Sequence, residues 1–194
     1  MGYIYFTRHG QSVWNIEKRI CGATDVPLSD LGREQAAALG REIRAKMDAG
    51  EKTPDGRLFR IDEILFSPLS RTTETAQLIA AETGIPCRPE QRITEQDFGK
   101  YEGMDRELEV FAQDKQRLFY DFEGGETMAR CMARVYNLME ELEKESRETG
   151  KIYLLVAHNG IARGFESWFR EMTIQEYANG CRFGNCELIR REFV

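Results

Sequence analysis

The sequence predicts an α/β protein, a three-layer α/β/α sandwich around a mostly parallel sheet. Two short runs, residues 3–7 and 152–157, are apolar on both faces, as buried parallel strands are, and residues 61–66 also have the pattern of a strand. Amphipathic stretches with helical spacing separate them, and this alternation is typical of the class. A chain of 194 residues suits one domain with one core. We therefore predict a single domain over residues 1–194, with strands 3–7 and 152–157 adjacent at its centre.

A helix is predicted after the first strand, beyond a polar loop over residues 10–28. Ser29 is a suitable N-cap, and the helix is expected to end near Gly50. The apolar residues of its inward face have helical spacing: Leu31, Leu39, Ile43 and Met47.

The second strand, residues 61–66, is predicted to lead directly into a second helix. Ser67 and Pro68 are expected to cap and begin this helix, and Gly84 to end it. Residues 85–93 then have the pattern of a short edge strand.

The stretch over residues 94–125 is the least regular part of the chain and is predicted to form a small lid rather than a second core. Its aromatic residues favour simple packing, with the lining of a pocket for an apolar leaving group as the alternative: Phe98, Tyr101, Phe111, Phe119, Tyr120 and Phe122. Arg106, Lys115 and Arg117 are expected on a solvated face, with binding of a second phosphate or carboxylate as the alternative.

The last third of the chain predicts a long amphipathic helix over residues 126–149 and then the strand 152–157. A helix over residues 160–169 and a final strand or hairpin over residues 186–194 follow.

Composition excludes several classes of function. The net charge of −6 argues against nucleic acid as a partner. No stretch approaches the roughly 20 apolar residues of a membrane span. The N-terminus enters a strand without a basic region or cleavage site, so we expect a cytoplasmic protein. The five cysteines are odd in number and lack C-x-x-C spacing, which predicts free thiols.

The two histidines of the chain both follow predicted strands. His9 lies in Arg8-His9-Gly10, and His158 begins His158-Asn159-Gly160. Open α/β sheets bind ligands outside the carboxyl ends of their strands, so the two histidines are predicted to converge on one site.

Further polar residues fall at the same predicted edge. Arg71 lies in the first turn of the second helix, Asn15 lies six residues beyond His9, and Glu95 follows the edge strand. Guanidinium groups match phosphate oxygens, and helix N-termini add backbone N–H groups. The pattern predicts a phosphate site.

Four sequence blocks, in order, resemble the histidine phosphatase superfamily, also called the phosphoglycerate mutase-like family. They are R-H-G at residues 8–10, S-P-L-S-R-T-T-E-T-A at 67–76, E-Q-D-F-G-K-Y-E-G at 95–103 and H-N-G at 158–160. The resemblance covers most of the chain and implies that His9 is the nucleophile that becomes phosphorylated and Glu95 the proton donor. The phosphate-binding residues that it implies are Arg8, Asn15, Arg71 and His158. A protonated His158 would add to the positive charge of the arginines, so that no metal is needed. Asn159 stands where relatives often have a small residue, and tolerance of a strained turn is favoured over donation to phosphate.

The resemblance implies a metal-independent phosphomonoesterase of the histidine acid phosphatase type, without cofactor, that hydrolyses a small phosphorylated metabolite through a phosphohistidine. The alternative is a cofactor-dependent phosphoglycerate mutase or related phosphotransferase. The blocks around Arg71 and Glu95 resemble the phosphatase branch, and the longer insertions of the mutases are absent from the sequence. An inactive relative that serves as a binding module is disfavoured because His9 and Glu95 are both present. We expect neither nucleic acid nor membrane as a partner, and a monomer or homodimer.

Overall fold

Five strands form one sheet in the computed structural model, which describes residues 2–179 and 182–193. They are β1 (Tyr3–Arg8), β2 (Glu63–Phe66), β3 (Cys87–Pro89), β4 (Tyr153–Ala157) and β5 (Ile189–Glu192). Their order is β3-β2-β4-β1-β5; β5 pairs antiparallel with β1, and the other neighbours are parallel. The predicted mostly parallel sheet is confirmed.

Helices cover both faces of the sheet. Those in the described ranges are α1 (Val13–Ile16), α2 (Asp30–Asp48), α3 (Ser70–Thr83), α4 (Glu109–Asp114), α5 (Met128–Thr149), α6 (Asn159–Phe169) and α7 (Ile174–Asn179), with short 3-10 turns at Gln91–Ile93 and Gly99–Tyr101. One core joins the sheet to α2 and α3, and a second core on the opposite face joins it to α5 and α6. The three-layer sandwich is therefore confirmed.

The two strands that carry the histidines are neighbours inside the sheet, as predicted. Tyr5 pairs with Leu154 and Arg8 with Ala157, while β2 lies on the other side of β4 and β5 on the other side of β1. This parallel register places the residues that follow β1 and β4 next to each other.

The inward face of α2 differs from the prediction at its start. Ser29 caps the helix as expected, but Leu31 is 49% exposed. The first turn packs through Gly32 instead, because a Cβ there would collide with the backbone of Gln11, just as a Cβ on Gly10 would collide with Gly32. Backbone contact between α2 and the loop after β1 leaves no room for a leucine side chain at this point.

The predicted cap of the second helix is wrong. α3 begins at Ser70, and its N-cap Leu69 makes no side-chain capping hydrogen bond. The Ser67 hydroxyl instead lies 2.8 Å from Nε2 of His158. The side chain that the local sequence predicts as a helix cap therefore makes a tertiary contact instead.

The 94–125 segment packs a small apolar cluster together with Ile20 of the loop after β1. Its members are Ile20, Phe98, Tyr101, Phe111 and Phe122. Phe119 is outside this cluster and is 80% exposed. Packing is thus confirmed for most of the aromatic residues, and two of them, Phe98 and Phe111, also line a pocket, which was the alternative. The role of the segment as a lid stays a prediction.

Two negative observations apply to the described residues alone. Cys21, Cys87, Cys131 and Cys186 are free thiols, while Cys181 lies outside the described ranges. None of the helices in these ranges combines the length and hydropathy needed to cross a bilayer.

Candidate active site

The ends of three neighbouring strands bring the central polar residues together. His9 follows β1 and its N–H donates to the Ala157 carbonyl at 3.0 Å, while Ser67 follows β2 and its N–H donates to the Val156 carbonyl at 3.1 Å. His158 directly follows β4, between them. The ring centroids of His9 and His158 are 5.2 Å apart, so the predicted convergence of the two histidines is confirmed.

The His9 ring is oriented by its own loop. Nδ1 lies 2.6 Å from the Gly10 carbonyl oxygen, which can only accept, so Nδ1 carries the hydrogen and Nε2 keeps its lone pair. Burial lowers the pKa of His9 well below 6.5, and the charges of Arg8 and Arg71 lower it further. The side chain is therefore a neutral imidazole with a free Nε2, which is the nucleophilic form.

His158 favours the neutral form in this structure, whereas the protonated ring is predicted beside bound phosphate. Burial lowers its pKa well below 6.5, and Arg71, His9 and Arg8 act in the same direction. Its Nε2 contacts the Ser67 hydroxyl, and its buried Nδ1 has no hydrogen-bond partner among the described residues. A phosphate dianion bound nearby would raise this pKa, because opposite charge favours the protonated form.

The two arginines occupy different positions. Arg71 is fully buried, and its Nη1 and Nη2 donate to the carbonyls of Thr24 and Gly22 at 2.9 and 2.7 Å. Arg8 lines a pocket in front of His9, and burial lowers its pKa to about 10 while Glu95 opposes the shift, so it stays protonated at neutral pH. The Nε atoms of both arginines have no partner within the described residues.

Glu95 is held at the beginning of α6. Its two carboxylate oxygens accept the backbone N–H groups of Gly160 and Gln96, both at 2.9 Å. A Cβ at position 160 would collide with this carboxylate, so a glycine is needed there.

The two asparagines both line the pocket and have structural hydrogen bonds. Asn15 forms a capping box with Ser12 at the start of α1. Asn159 is the first residue of α6, and its Oδ1 accepts the N–H of Phe183 at 3.2 Å. The strained turn expected at Asn159 is therefore wrong, because the residue has a helical backbone.

The pocket in front of His9 has a volume of about 250 Å³. Five of the seven predicted site residues line it: Arg8, His9, Asn15, Glu95 and Asn159. Arg71 and His158 are not among the lining residues. The charge of Arg71 acts on His9, and the His158 ring packs against the His9 ring.

The sequence interpretation missed several residues that line the pocket: Arg19, Cys21, Arg163 and Arg182. Arg163 carried a readable signal, since it lies four residues after Asn159 and therefore on the same helix face. Arg106 and Lys115 also line the pocket; Arg106 is exposed, as expected of a solvated face, whereas Lys115 is partly buried. Arg117 is exposed, as predicted, and pairs with Asp114.

The two histidines make stability sensitive to pH in a narrow window. Both have folded-state pKa values well below 6.5, so the unfolded chain binds more protons at mildly acidic pH, and stability present above pH 6.5 is lost as the pH falls. We expect the free energy of unfolding to fall by roughly 2.5 kcal/mol between pH 7 and pH 5.5, because two histidines protonate on unfolding.

Urea unfolding at several pH values within this window measures the effect. The chain has only two histidines, and ordinary carboxylates titrate at lower pH, so His9→Gln should remove about half of the pH dependence. A wild-type free energy of unfolding that is flat across the window would contradict the prediction.

Known proteins resemble this chain in sequence and in fold. Residues 4–193 match the histidine phosphatase superfamily, branch 1. The chain is 33% identical to a probable phosphoglycerate mutase from Salmonella paratyphi A, over 83% of this chain and 71% of that protein. It is 31% identical to phosphoserine phosphatase 1 from Hydrogenobacter thermophilus, over 80% of this chain and 70% of that protein.

A solved structure shares the fold. Mycobacterial glucosyl-3-phosphoglycerate phosphatase, in complex with VO3, superposes with a TM-score of 0.81 over 98% of this chain and 90% of that chain, at 23% identity. Since the family match spans nearly the whole sequence and relatives exceed 30% identity, the chain belongs to the histidine phosphatase superfamily, branch 1.

Proposed function

We propose that this superfamily enzyme is a metal-independent phosphomonoesterase that hydrolyses a small phosphorylated metabolite through a phosphohistidine on His9. The observation that carries the proposal is the His9 ring, which is neutral, has Nδ1 bound to the Gly10 carbonyl and lines a pocket shared with Arg8 and Glu95. The resemblance to a phosphoserine phosphatase supports the same assignment.

The first half-reaction transfers the phosphoryl group to His9. Nε2 attacks phosphorus in line, the ester P–O bond breaks, and the leaving oxygen takes the proton of the Glu95 carboxyl group. The bond between Nδ1–H and the Gly10 carbonyl stabilises the positive charge that develops on the ring. A neutral ring is essential for this step, since a protonated imidazole has no lone pair to donate.

Charge on the phosphoryl oxygens is stabilised by the surrounding donors. Arg8 and the buried Arg71 supply fixed positive charge in a site of low dielectric, and the α6 N-terminus adds its dipole. His158 becomes a further donor once phosphate raises its pKa. These groups provide the positive charge that a metal supplies in other phosphoryl-transfer sites.

The second half-reaction returns the enzyme to its starting state. Water attacks phosphorus, Glu95 takes a proton from it, the P–N bond to His9 breaks, and inorganic phosphate leaves. Microscopic reversibility thus assigns Glu95 to both steps, as acid and then as base.

A phosphoglycerate mutase is the second candidate, favoured by 33% identity to a protein with that name. Both reactions use the same phosphohistidine and differ in its fate. The phosphatase releases phosphate, whereas the mutase returns it to the other hydroxyl of the sugar acid and needs a bisphosphate primer.

One pair of assays separates the candidates. An aryl phosphate with excess chelator should release phosphate, and 3-phosphoglycerate with trace 2,3-bisphosphoglycerate should also yield phosphate when followed by phosphorus NMR. Clean conversion to the 2-isomer without phosphate would establish the mutase instead. Vanadate binding without turnover of either substrate would establish a binding module. The cytoplasmic location and the monomer or homodimer stay predictions.

A further inference from the structure

Five basic side chains line the pocket in addition to the residues assigned to phosphate: Arg19, which pairs with Glu17, and four others. Arg106 and Lys115 come from the 94–125 segment, Arg163 from α6, and Arg182 from the connection to β5. Three parts of the chain that are distant in sequence therefore direct positive charge into the cavity that contains His9.

These four cations have no carboxylate partner within ion-pair distance in the described residues. Two other basic residues do have such a partner, since Arg19 pairs with Glu17 at 2.7 Å and Arg117 pairs with Asp114 at 3.0 Å. The acidic residue of the pocket lining is Glu95, whose two oxygens already accept backbone N–H groups. In a chain of net charge −6, so many unpaired cations in one cavity form a local anion-binding surface.

Lys115 is half-buried and lies against this cluster. Its Nζ is 5.1 Å from the ring centroid of Phe111, which also lines the pocket. Burial, together with the charges of Arg163 and Arg182, lowers the pKa of Lys115 to about 8. The three positive charges thus repel one another, and an anion placed among them would relieve that repulsion.

We propose that Arg106, Lys115, Arg163 and Arg182 bind a second anionic group on the alcohol portion of the substrate, a carboxylate or a second phosphate. The inference rests on the proposed function, because the phosphate bound at His9 anchors the other end of the molecule. A pocket of about 250 Å³ that contains both sites suits a small metabolite with two anionic ends.

A matched set of three-carbon substrates tests the subsite. Glycerol 3-phosphate and 3-phosphoglycerate differ in a hydroxymethyl group against a carboxylate, and glycerol 1,3-bisphosphate carries a second phosphate. Of the two substrates with a second anionic group, at least one should have a wild-type kcat/KM about 10- to 100-fold higher than that of glycerol 3-phosphate, as charge-assisted hydrogen bonds predict. Which of the two is preferred identifies the anion.

Variants of the cluster should reduce that preference. Lys115→Gln and, independently, Arg182→Gln should each lower the ratio of kcat/KM values about tenfold, and Arg117→Gln is the matched control that leaves the ratio unchanged. The two variants lie in separate segments, so if one of them fails to fold, the other still tests the subsite. Equal rates on all three wild-type substrates, or the same ratio in Lys115→Gln and Arg117→Gln, would overturn the subsite.

Binding to His9→Ala separates this inference from the proposed function. Calorimetric titration of this variant with 3-phosphoglycerate, glycerol 1,3-bisphosphate and glycerol 3-phosphate requires no turnover. Tighter binding of a compound with the second anion, lost on adding Lys115→Gln, supports the subsite even if the wild type hydrolyses none of them. That combination would refute the phosphatase proposal alone, whereas equal binding of all three compounds would refute the subsite alone.

Discussion

His9→Ala is expected to lower turnover by roughly 10⁴-fold or more and to abolish the phosphoenzyme. The structure leaves no substitute nucleophile in the described pocket. His158 is not among the residues that line the pocket, and its Nε2 contacts Ser67. Burial raises the pKa of the Cys21 thiol to about 11, so this thiol is protonated and weakly nucleophilic at neutral pH. Steady-state hydrolysis of an aryl phosphate measures the loss of turnover.

Rapid quench followed by mass spectrometry measures the phosphoenzyme. The wild type should show an acid-labile phosphoryl group on the peptide that contains His9, and the variant should show none. Circular dichroism of both proteins controls for folding. A phosphoryl group on another residue of His9→Ala, or its absence from wild type during turnover, would remove His9 from the mechanism.

Glu95→Gln is expected to slow alkyl phosphates by roughly 10²- to 10⁴-fold and aryl phosphates far less. An alkoxide is a strong base that needs a proton to depart, whereas an aryl oxide leaves as a weaker base. The glutamine keeps the shape but cannot donate that proton, so phosphohistidine should still form from the aryl ester. If Glu95 also activates water, the intermediate should accumulate.

The hydrogen bonds of Glu95 determine how the glutamine variant is interpreted, because both carboxylate oxygens accept backbone N–H groups. The amide NH2 of a glutamine cannot accept the second bond, so a positional defect is expected on both substrates. The ratio of the alkyl loss to the aryl loss therefore isolates proton donation. Equal losses would mean that Glu95 only positions α6 and that another group handles the proton.

The fold and the position of the site residues that follow the strands could be predicted from the sequence because they depend on local signals. Apolar runs identify strands, parallel strands end at one edge, and the residues after them are found by counting. His9 and His158 could be placed in this way before any contact was known. Glu95 depended on its sequence block, since the segment around it has no periodicity that positions a side chain.

Other properties depend on contacts between distant parts of the chain and could not be predicted locally. Ser67 has the sequence signature of a helix cap, yet it contacts His158 because the parallel register of β2 and β4 places the two side by side. The neutral state of His158 likewise follows from burial beside positive charge, which no local pattern encodes.

The sequence by itself determined the α/β class and the strand ends, and it located the residues proposed to bind phosphate, because hydrophobic periodicity and short motifs are properties of neighbouring residues. Only the tertiary structure decided that Arg106 and Lys115 line the pocket with Arg163 and Arg182. These basic residues are far apart in sequence, and they share one cavity because the 94–125 segment and α6 both contribute to its lining. Electrostatic clustering is a sum over spatial distances, and these distances are not contained in sequence spacing.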